Sequence, residues 1–258
     1  MKVLVCVKQV PDMESKFRIG ASGVWYDETD LAYRMNEYDE YAVEEAVRLK
    51  ESAPEDIDVT ALSIGPERVK EVIKKSLAMG CDRGVHIKDD EYYSKCPHSI
   101  ASIIYEYAKD KNFDIIFTGL QSQDRGSAEV GVFLSELMDF ACVTTVVGFK
   151  VEDGKVMIKR ELEGGKKIII ETSIPLVATC QSGLNIPRYP TLPNIMKAKR
   201  KELKTFDVSE YYNVSEFVKT EKAYYPEKKG GALILEGDVS ELVEKVVSLV
   251  KENTGLIK

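Results

Sequence analysis

The feature that most constrains this chain is the stretch FDIIFTGLQSQDRGSAEVGVFLSELM, residues 113–138. Its first five residues are nearly all apolar, which suits a parallel strand covered on both faces. From Val130, the residues Phe133, Leu134 and Leu137 follow at helical spacing. Between the two lies a polar loop, residues 121–127. Strand, small polar loop and helix is the arrangement by which α/β folds offer backbone N–H groups and a helix dipole to a phosphate. The loop carries neither Gly-x-Gly-x-x-Gly nor a Gly-Lys-Ser/Thr ending. On physics alone it fits an ordinary connection as well as a nucleotide site.

The same rhythm precedes it. Residues 2–7 read as a first strand, and residues 8–34 as a long polar connection holding the single Trp25; so long a connection is usually functional. Asn36 is placed to cap a first helix, with Glu37, Asp39 and Glu40 at its positive end and Tyr38, Ala42, Ala46 and Leu49 as its apolar stripe. The pair Glu44-Glu45 is expected on the solvent side of that helix. Residues 57–64 form a second strand, Gly65-Pro66 starts a second helix and Gly80 ends it. Residues 83–87 give a third strand, and Ile100, Ile103, Ile104 and Tyr107 mark a third helix. Four β–α units in sequence predict a doubly wound, mostly parallel sheet.

After residue 140 the pattern changes. Residues 143–151, 156–160 and 167–171 read as strands, the last two joined through Glu163-Gly164-Gly165 as an antiparallel hairpin. Residues 174–179 look like a strand returning to the main sheet. A proline-punctuated segment and the basic run Lys197 to Lys201 follow. Residues 204–235 have the look of an extended arm with little core of its own. A closing helix starts at a near capping box, Asp238 to Glu241, with one valine-rich stripe. The expected organisation is an α/β domain over residues 1–203, then an arm and helix over 204–258 that pack on a partner.

Composition narrows the function. With 44% hydrophobic and 31% charged residues the chain can build a core, and a net charge of −7 argues against nucleic-acid binding. No apolar run approaches the ~20 residues of a membrane span. The opening residues resemble a signal peptide only superficially. Five widely spaced cysteines without a Cys-x-x-Cys pair fit a reducing cytoplasm and exclude a zinc ribbon. His86 and His98 are isolated, and no nucleophile has an obvious base. A nucleotide pocket without catalytic groups reads as a binder or carrier, not an enzyme.

These residues give the chain its resemblance to the small (beta) subunit of electron-transfer flavoproteins, from end to end. The matching segments are VLVCVKQVPD (3–12), NEYDEYAVEEAVRLK (36–50) and AMGCDRG (78–84). Gly119 with Gln121, Asp124 and Gly131 resembles the family's nucleotide loop, and KRELEGG (159–165) before Pro175 its signature stretch. LNIPRY (184–189) and LPNIMKAK (192–199) match its most distinctive segment. The resemblance implies an adenine-nucleotide alpha-hydrolase-like α/β fold and a heterodimer with a large (alpha) subunit holding a redox-active FAD. It implies electrons accepted from dehydrogenases, typically acyl-CoA dehydrogenases of fatty acid beta-oxidation, and passed towards a quinone-reducing oxidoreductase.

It also implies an AMP in this chain. Cofactor contacts would come from Cys6, Asn36, Tyr38, Asp39, Ile64, Gly119, Gln121, Asp124, Arg125, Gly126, Ser127, Val130 and Gly131. Cys6, Asn36 and Asp39 would line the adenosine end, and residues 124–127 would meet the phosphate. In bifurcating, NADH-oxidising members a second FAD takes the place of AMP. Residues 7–12 look like that branch and residues 184–199 like the acyl-CoA dehydrogenase branch; the expectation here is AMP. Departures from the family are Leu120, Gln123, residues 125–127, and Glu37 in place of a proline. A recognition loop is implied at Leu192, Pro193, Ile195, Met196 and Lys197, with Leu192 as the anchor on the dehydrogenase. An ATP-using adenylating enzyme of this fold would need a Ser-Gly-Gly-x-Asp-Ser loop after the first strand. Residues 8–12 there contain no glycine. A stand-alone nucleotide sensor would not need the arm.

Overall fold

The computed structural model describes residues 1–152, 155–212, 217–227 and 230–254. Its centre is a nine-stranded sheet, whose strands in chain order are β1 (Lys2–Cys6), β4 (Asp58–Gly65), β5 (Arg83–Lys88), β6 (Ile115–Gly119), β7 (Ala141–Glu152), β8 (Lys155–Glu161), β9 (Lys167–Thr172), β10 (Leu176–Cys180) and β11 (Leu203–Asp207). Two short strands, β2 (Gln9–Pro11) and β3 (Tyr33–Met35), pair antiparallel outside it. The order across the main sheet is β11-β5-β4-β1-β6-β10-β7-β8-β9. All pairings are parallel from β11 to β7, and β7, β8 and β9 close the far edge as antiparallel neighbours. The doubly wound sheet and its hairpin are therefore as the sequence implies.

The central strands β1, β4, β6 and β10 are buried on both faces, and the period of two divides them cleanly. Val3, Val5, Ile115 and Phe117 join one core with α1 (Glu37–Ser52) and α2 (Lys70–Met79), through Ala42, Val43, Ala46, Ile73 and Leu77. Leu4 and Ile116 join the other, with α3 (Pro97–Ala108) and α4 (Val130–Met138), through Ile103, Ile104, Tyr107 and Leu134. Each fully buried Val, Leu, Ile or Phe side chain among them contributes on the order of 1.5–3 kcal/mol.

Several expectations are corrected. The sixth strand begins at Ile115, because the Asp114 carboxylate turns aside to accept the Lys2 N–H at 2.7 Å. Helix α2 starts at Lys70, since Pro66 opens a tight turn over Glu67–Val69 first. In keeping with an isolated, structural histidine in the predicted third strand, His86 is fully buried within β5, its Nε2 2.8 Å from the Gly65 carbonyl. Glu44 and Glu45 are buried, 4% and 7% exposed, because the 181–191 segment covers that face of α1. Residues 204–207 belong to an edge strand of the main sheet rather than to an arm.

The compact unit continues to Ala223, and a second unit spans Tyr224–Lys258. The second contains α6 (Val239–Thr254), whose first turn is capped by the Asp238 carboxylate accepting the Glu241 N–H at 3.0 Å. Its expected valine stripe is exposed, with Val239 at 77% and Val243 at 57%. Parts of the expected arm, residues 213–216 and 228–229, and the terminal residues 255–258 lie outside the described residues. Among the described residues no helix is long and apolar enough to cross a membrane.

Candidate functional site

The sheet order reverses at β1: the chain proceeds outward through β4 and β5, then returns to place β6 on the other side. The carboxyl ends of β1 and β6 therefore splay apart, and such a switch point is where open α/β sheets bind ligands. A pocket lies there. The β1 end supplies Cys6, Val7 and Lys8, the β4 end Ile64, and the β6 end Thr118 and Gly119. The loop and first turn of α4 supply Leu120 to Ser122, Arg125 and Ser127 to Gly131. Leu62, Ile64, Ile100 and Ile104 make one apolar wall, which suits a flat ring system.

The loop is held from below by the first turn of α1. Asp39 is buried, its carboxylate accepting three N–H bonds: from Lys8 N at 2.6 Å, Asn36 Nδ2 at 2.9 Å and Gly119 N at 3.1 Å. Burial pushes the Asp39 carboxyl up to about 7, against the pull of those donors. Asn36 sits at the helix start as expected but does not cap it with its side chain. Its Nδ2 donates to the Gln121 carbonyl at 2.9 Å and its Oδ1 accepts from Gln123 N at 3.0 Å, so it fixes the loop instead. Gly119 is obligatory for this approach: a Cβ there would lie 2.1 Å from Asp39 Oδ1. At Gly131 a Cβ would meet Thr179 Cγ2 at 2.6 Å and Thr118 Oγ1 at 2.8 Å, so glycine lets α4 seat tightly on the strands.

The loop then turns through two left-handed residues, Gly126 (φ 63°) and Ala128 (φ 55°). The second is unfavourable for a residue with a Cβ and marks a built conformation. No side chain caps α4, whose N-cap is Glu129. Its first-turn N–H groups, which have no helical partner, thus meet the pocket with the positive end of the helix dipole.

Of the residues that the resemblance implied, Cys6, Asn36, Asp39, Ile64, Gly119, Gln121, Arg125, Ser127, Val130 and Gly131 line this pocket; Tyr38, Asp124 and Gly126 do not. The Asp124 side chain is 3% exposed and paired with Lys8 Nζ at 2.7 Å, so it acts as a strut. Burial draws the Lys8 ammonium pKa down and Asp124 opposes that. Arg125 Nη1 donates to the Lys95 carbonyl at 3.0 Å and Nη2 to the Tyr93 carbonyl, while its guanidinium lies 4.7 Å over the Trp25 ring. Burial, and secondarily Asp39, pushes the Cys6 thiol far up, which leaves it a small neutral lining group. Sequence reasoning missed Lys8 and Lys95 as lining residues. Lys8 was legible as a charge directly after a strand; Lys95 offered no signal, since its place depends on the turn at residues 92–94.

The segment proposed for docking is on the surface. Leu192 is 76% exposed and Met196 58%, with Pro193, Ile195 and Lys197 exposed beside them on α5 (Leu192–Ala198). Ile186 and Tyr189, at 88% and 91%, extend the patch.

Comparisons with known proteins give one result. Residues 23–211 match the family model described as the electron transfer flavoprotein domain. Over 264 residues the chain is 35% identical to electron transfer flavoprotein subunit beta of Methylophilus methylotrophus, covering 99% of this chain and all of that one. It is 35% identical over 262 residues to the subunit of the same name from Bacillus subtilis (strain 168), covering both chains fully. With the Mus musculus subunit it shares 37% over 207 residues, 79% of this chain and 80% of that one.

Proposed function

The chain belongs to the electron transfer flavoprotein beta-subunit family, and from that premise we propose that it is the small subunit of a heterodimeric electron carrier. In this reading it holds an AMP in the pocket between β1 and β6. It supports the domain of the large subunit that binds FAD, and it docks an acyl-CoA dehydrogenase through the patch around Leu192. The FAD, when bound, supplies the redox chemistry; this chain's residues bind, orient and dock.

The observation that carries the nucleotide reading is the loop itself. An uncapped helix start faces a pocket with an apolar wall, below a glycine at which no Cβ is tolerated. The N–H groups of residues 127–131 suit a phosphate, and Leu62, Ile64, Ile100 and Ile104 suit a base. The docking reading is supported by apolar side chains exposed beside Lys197, Lys199 and Arg200, an arrangement in which a buried anchor supplies affinity and rim charges speed encounter. A quinone-reducing oxidoreductase would take the electrons onward.

The test is to produce both subunits together, extract the cofactors with acid and count them. About one AMP and one FAD per heterodimer is expected. Two FAD and no AMP would replace this reading with the bifurcating, NADH-oxidising one.

A further inference from the structure

Between β10 and α5 the chain forms no strand or helix, yet it carries the exposed Ile186 and Tyr189 and leads into Leu192. Side-chain bonds to α1 hold it. Asn185 Nδ2 donates to the Tyr41 carbonyl at 3.0 Å and to Glu45 Oε2 at 2.8 Å. Arg188 does more. Its backbone N–H donates to Glu44 Oε2 at 3.1 Å, and its Nε to the same oxygen at 2.8 Å. Its Nη2 reaches Glu44 Oε1 at 3.1 Å and Glu51 Oε2 at 2.8 Å, and its Nη1 reaches Glu51 Oε1 at 2.6 Å. One guanidinium thus clasps two carboxylates two turns apart on one helix. The two glutamates hold the Arg188 pKa far up.

The clasp alternates with the patch. Residues 185 and 188 point to α1 while Ile186 and Tyr189 stand out at 88% and 91% exposure. The helix that receives the clasp is fixed elsewhere, by its apolar face on the sheet and by Asn36 and Asp39 in the nucleotide loop. We propose that Arg188 is a positioning residue for docking: its clasp on Glu44 and Glu51 holds the 186–192 segment in the conformation that meets the electron donor. The inference rests on the docking reading above.

The expected signature follows from a loop that is competent for only a fraction of the time once released. The apparent dissociation constant then rises by the inverse of that fraction, while events inside the bound complex are untouched. Removing Arg188 alone would strand the buried Glu44 carboxylate, so the main variant is Arg188→Gln with Glu44→Gln. Arg188→Lys keeps the charge but cannot span both carboxylates. Glu51→Gln loosens only the solvent side and keeps the question answerable if the double variant folds poorly.

The assay is reduction of the heterodimer by an acyl-CoA dehydrogenase of the same organism, itself reduced with an acyl-CoA, across a concentration series. Alongside it, FAD and nucleotide content and amide exchange over residues 184–192 are measured. For the double variant the half-saturating concentration should rise about tenfold, equivalent to ~1.4 kcal/mol, with the plateau rate and cofactor content unchanged. Amide exchange in the segment should quicken. Arg188→Lys and Glu51→Gln should each give an intermediate rise. Adding Leu192→Ala to the double variant should multiply the two separate effects, because a smaller competent fraction and a weaker contact enter the apparent constant as independent factors.

A double variant with wild-type half-saturation, while Leu192→Ala raises it, overturns the clasp and leaves the docking reading standing. If neither raises it, the docking reading fails and the clasp with it. A plateau that falls in step with cofactor content, at unchanged half-saturation, assigns Arg188 a merely structural role and also overturns the proposal.

Discussion

Asp39 is the residue whose perturbation tests the site most directly, because its ionised form is a cost that the fold carries. Its side chain is buried beneath the loop, and burial raises its carboxyl from 3.8 to about 7. A carboxyl whose folded pKa lies above its unfolded pKa binds its proton more tightly in the native state. Stability from this group is therefore greatest at low pH and falls as pH rises from about 4 to about 7. At 1.36 kcal/mol per pH unit the full swing is about 4 kcal/mol, of which ~2.5 kcal/mol falls between pH 5 and pH 8.

Asp39→Asn removes the titration. The amide also presents N–H where the carboxylate accepted from Lys8 N or Gly119 N, a pH-independent cost of about 2–4 kcal/mol that adds to the lost titration. The prediction concerns the difference between the two proteins. Urea midpoints of wild type and variant, measured from pH 5 to pH 8, should converge as pH rises, with the wild-type advantage shrinking by about 2–3 kcal/mol. A gap that stays flat over this range, or widens, means that Asp39 is ionised with an ordinary pKa and refutes the reasoning.

Other outcomes follow from the same geometry. Leu192→Ala should leave folding and cofactor content intact and weaken docking to an acyl-CoA dehydrogenase by about 1–3 kcal/mol, about ten- to a hundredfold in half-saturating concentration; wild-type concentration dependence would remove Leu192 as an anchor. Gly119→Ala pushes a Cβ to within 2.1 Å of Asp39 Oδ1, so it should cost about 2–4 kcal/mol in unfolding experiments and lower the nucleotide retained on gel filtration; full retention with unchanged stability would mean the loop is not held as described. The exposed apolar residues of the Tyr224–Lys258 unit, among them Leu233, Ile234 and the α6 valines, should be covered by the large subunit. Limited proteolysis should cut residues 224–235 in the chain alone and spare them in the heterodimer, and equal cutting in both samples would count against that interface.

The middle of the parallel sheet was legible because β1, β4 and β6 are short apolar runs and the helices that follow have their own period; the edge strand β11, LKTFD, carries no such run and was not. The pocket was legible in outline for the same reason: a loop between β6 and α4 can only lie at the carboxyl edge of the sheet. What the sequence did not give was the direction of polar side chains. Asn36 in a capping position reads as a cap, yet it turns to residues 121 and 123, which are remote in the chain. Glu44 and Glu45 read as a solvated face because the residues that bury them come about 140 positions later. Arg125 gave no sign in the sequence of the two carbonyls and the indole ring that engage its guanidinium at the pocket. Each misreading involves a polar group whose partner is distant in sequence, and periodicity carries no information about such pairs.

The pocket's electrostatics bear on what kind of binder it is. Among the described residues three cationic side chains line it, and each is already engaged. Lys8 is paired with Asp124, Lys95 with Asp89 at 2.9 Å, and Arg125 with backbone carbonyls. Two of the three charges are cancelled within a few ångströms, and Asp39 adds a negative group as it ionises. Side-chain charge therefore offers an anion little net attraction. What remains is the uncapped start of α4 and the N–H groups of the loop before it, which are short-ranged and directional. Such a site selects by fit to a fixed backbone more than by charge, and backbone fit depends on how firmly the loop is held. The elements that hold it are Asn36 and Asp39 on α1, the helix whose middle turns also receive Arg188. The residues that would shape the nucleotide site and those that would present the docking patch thus share one rigid support, although they touch it at different turns and serve different partners.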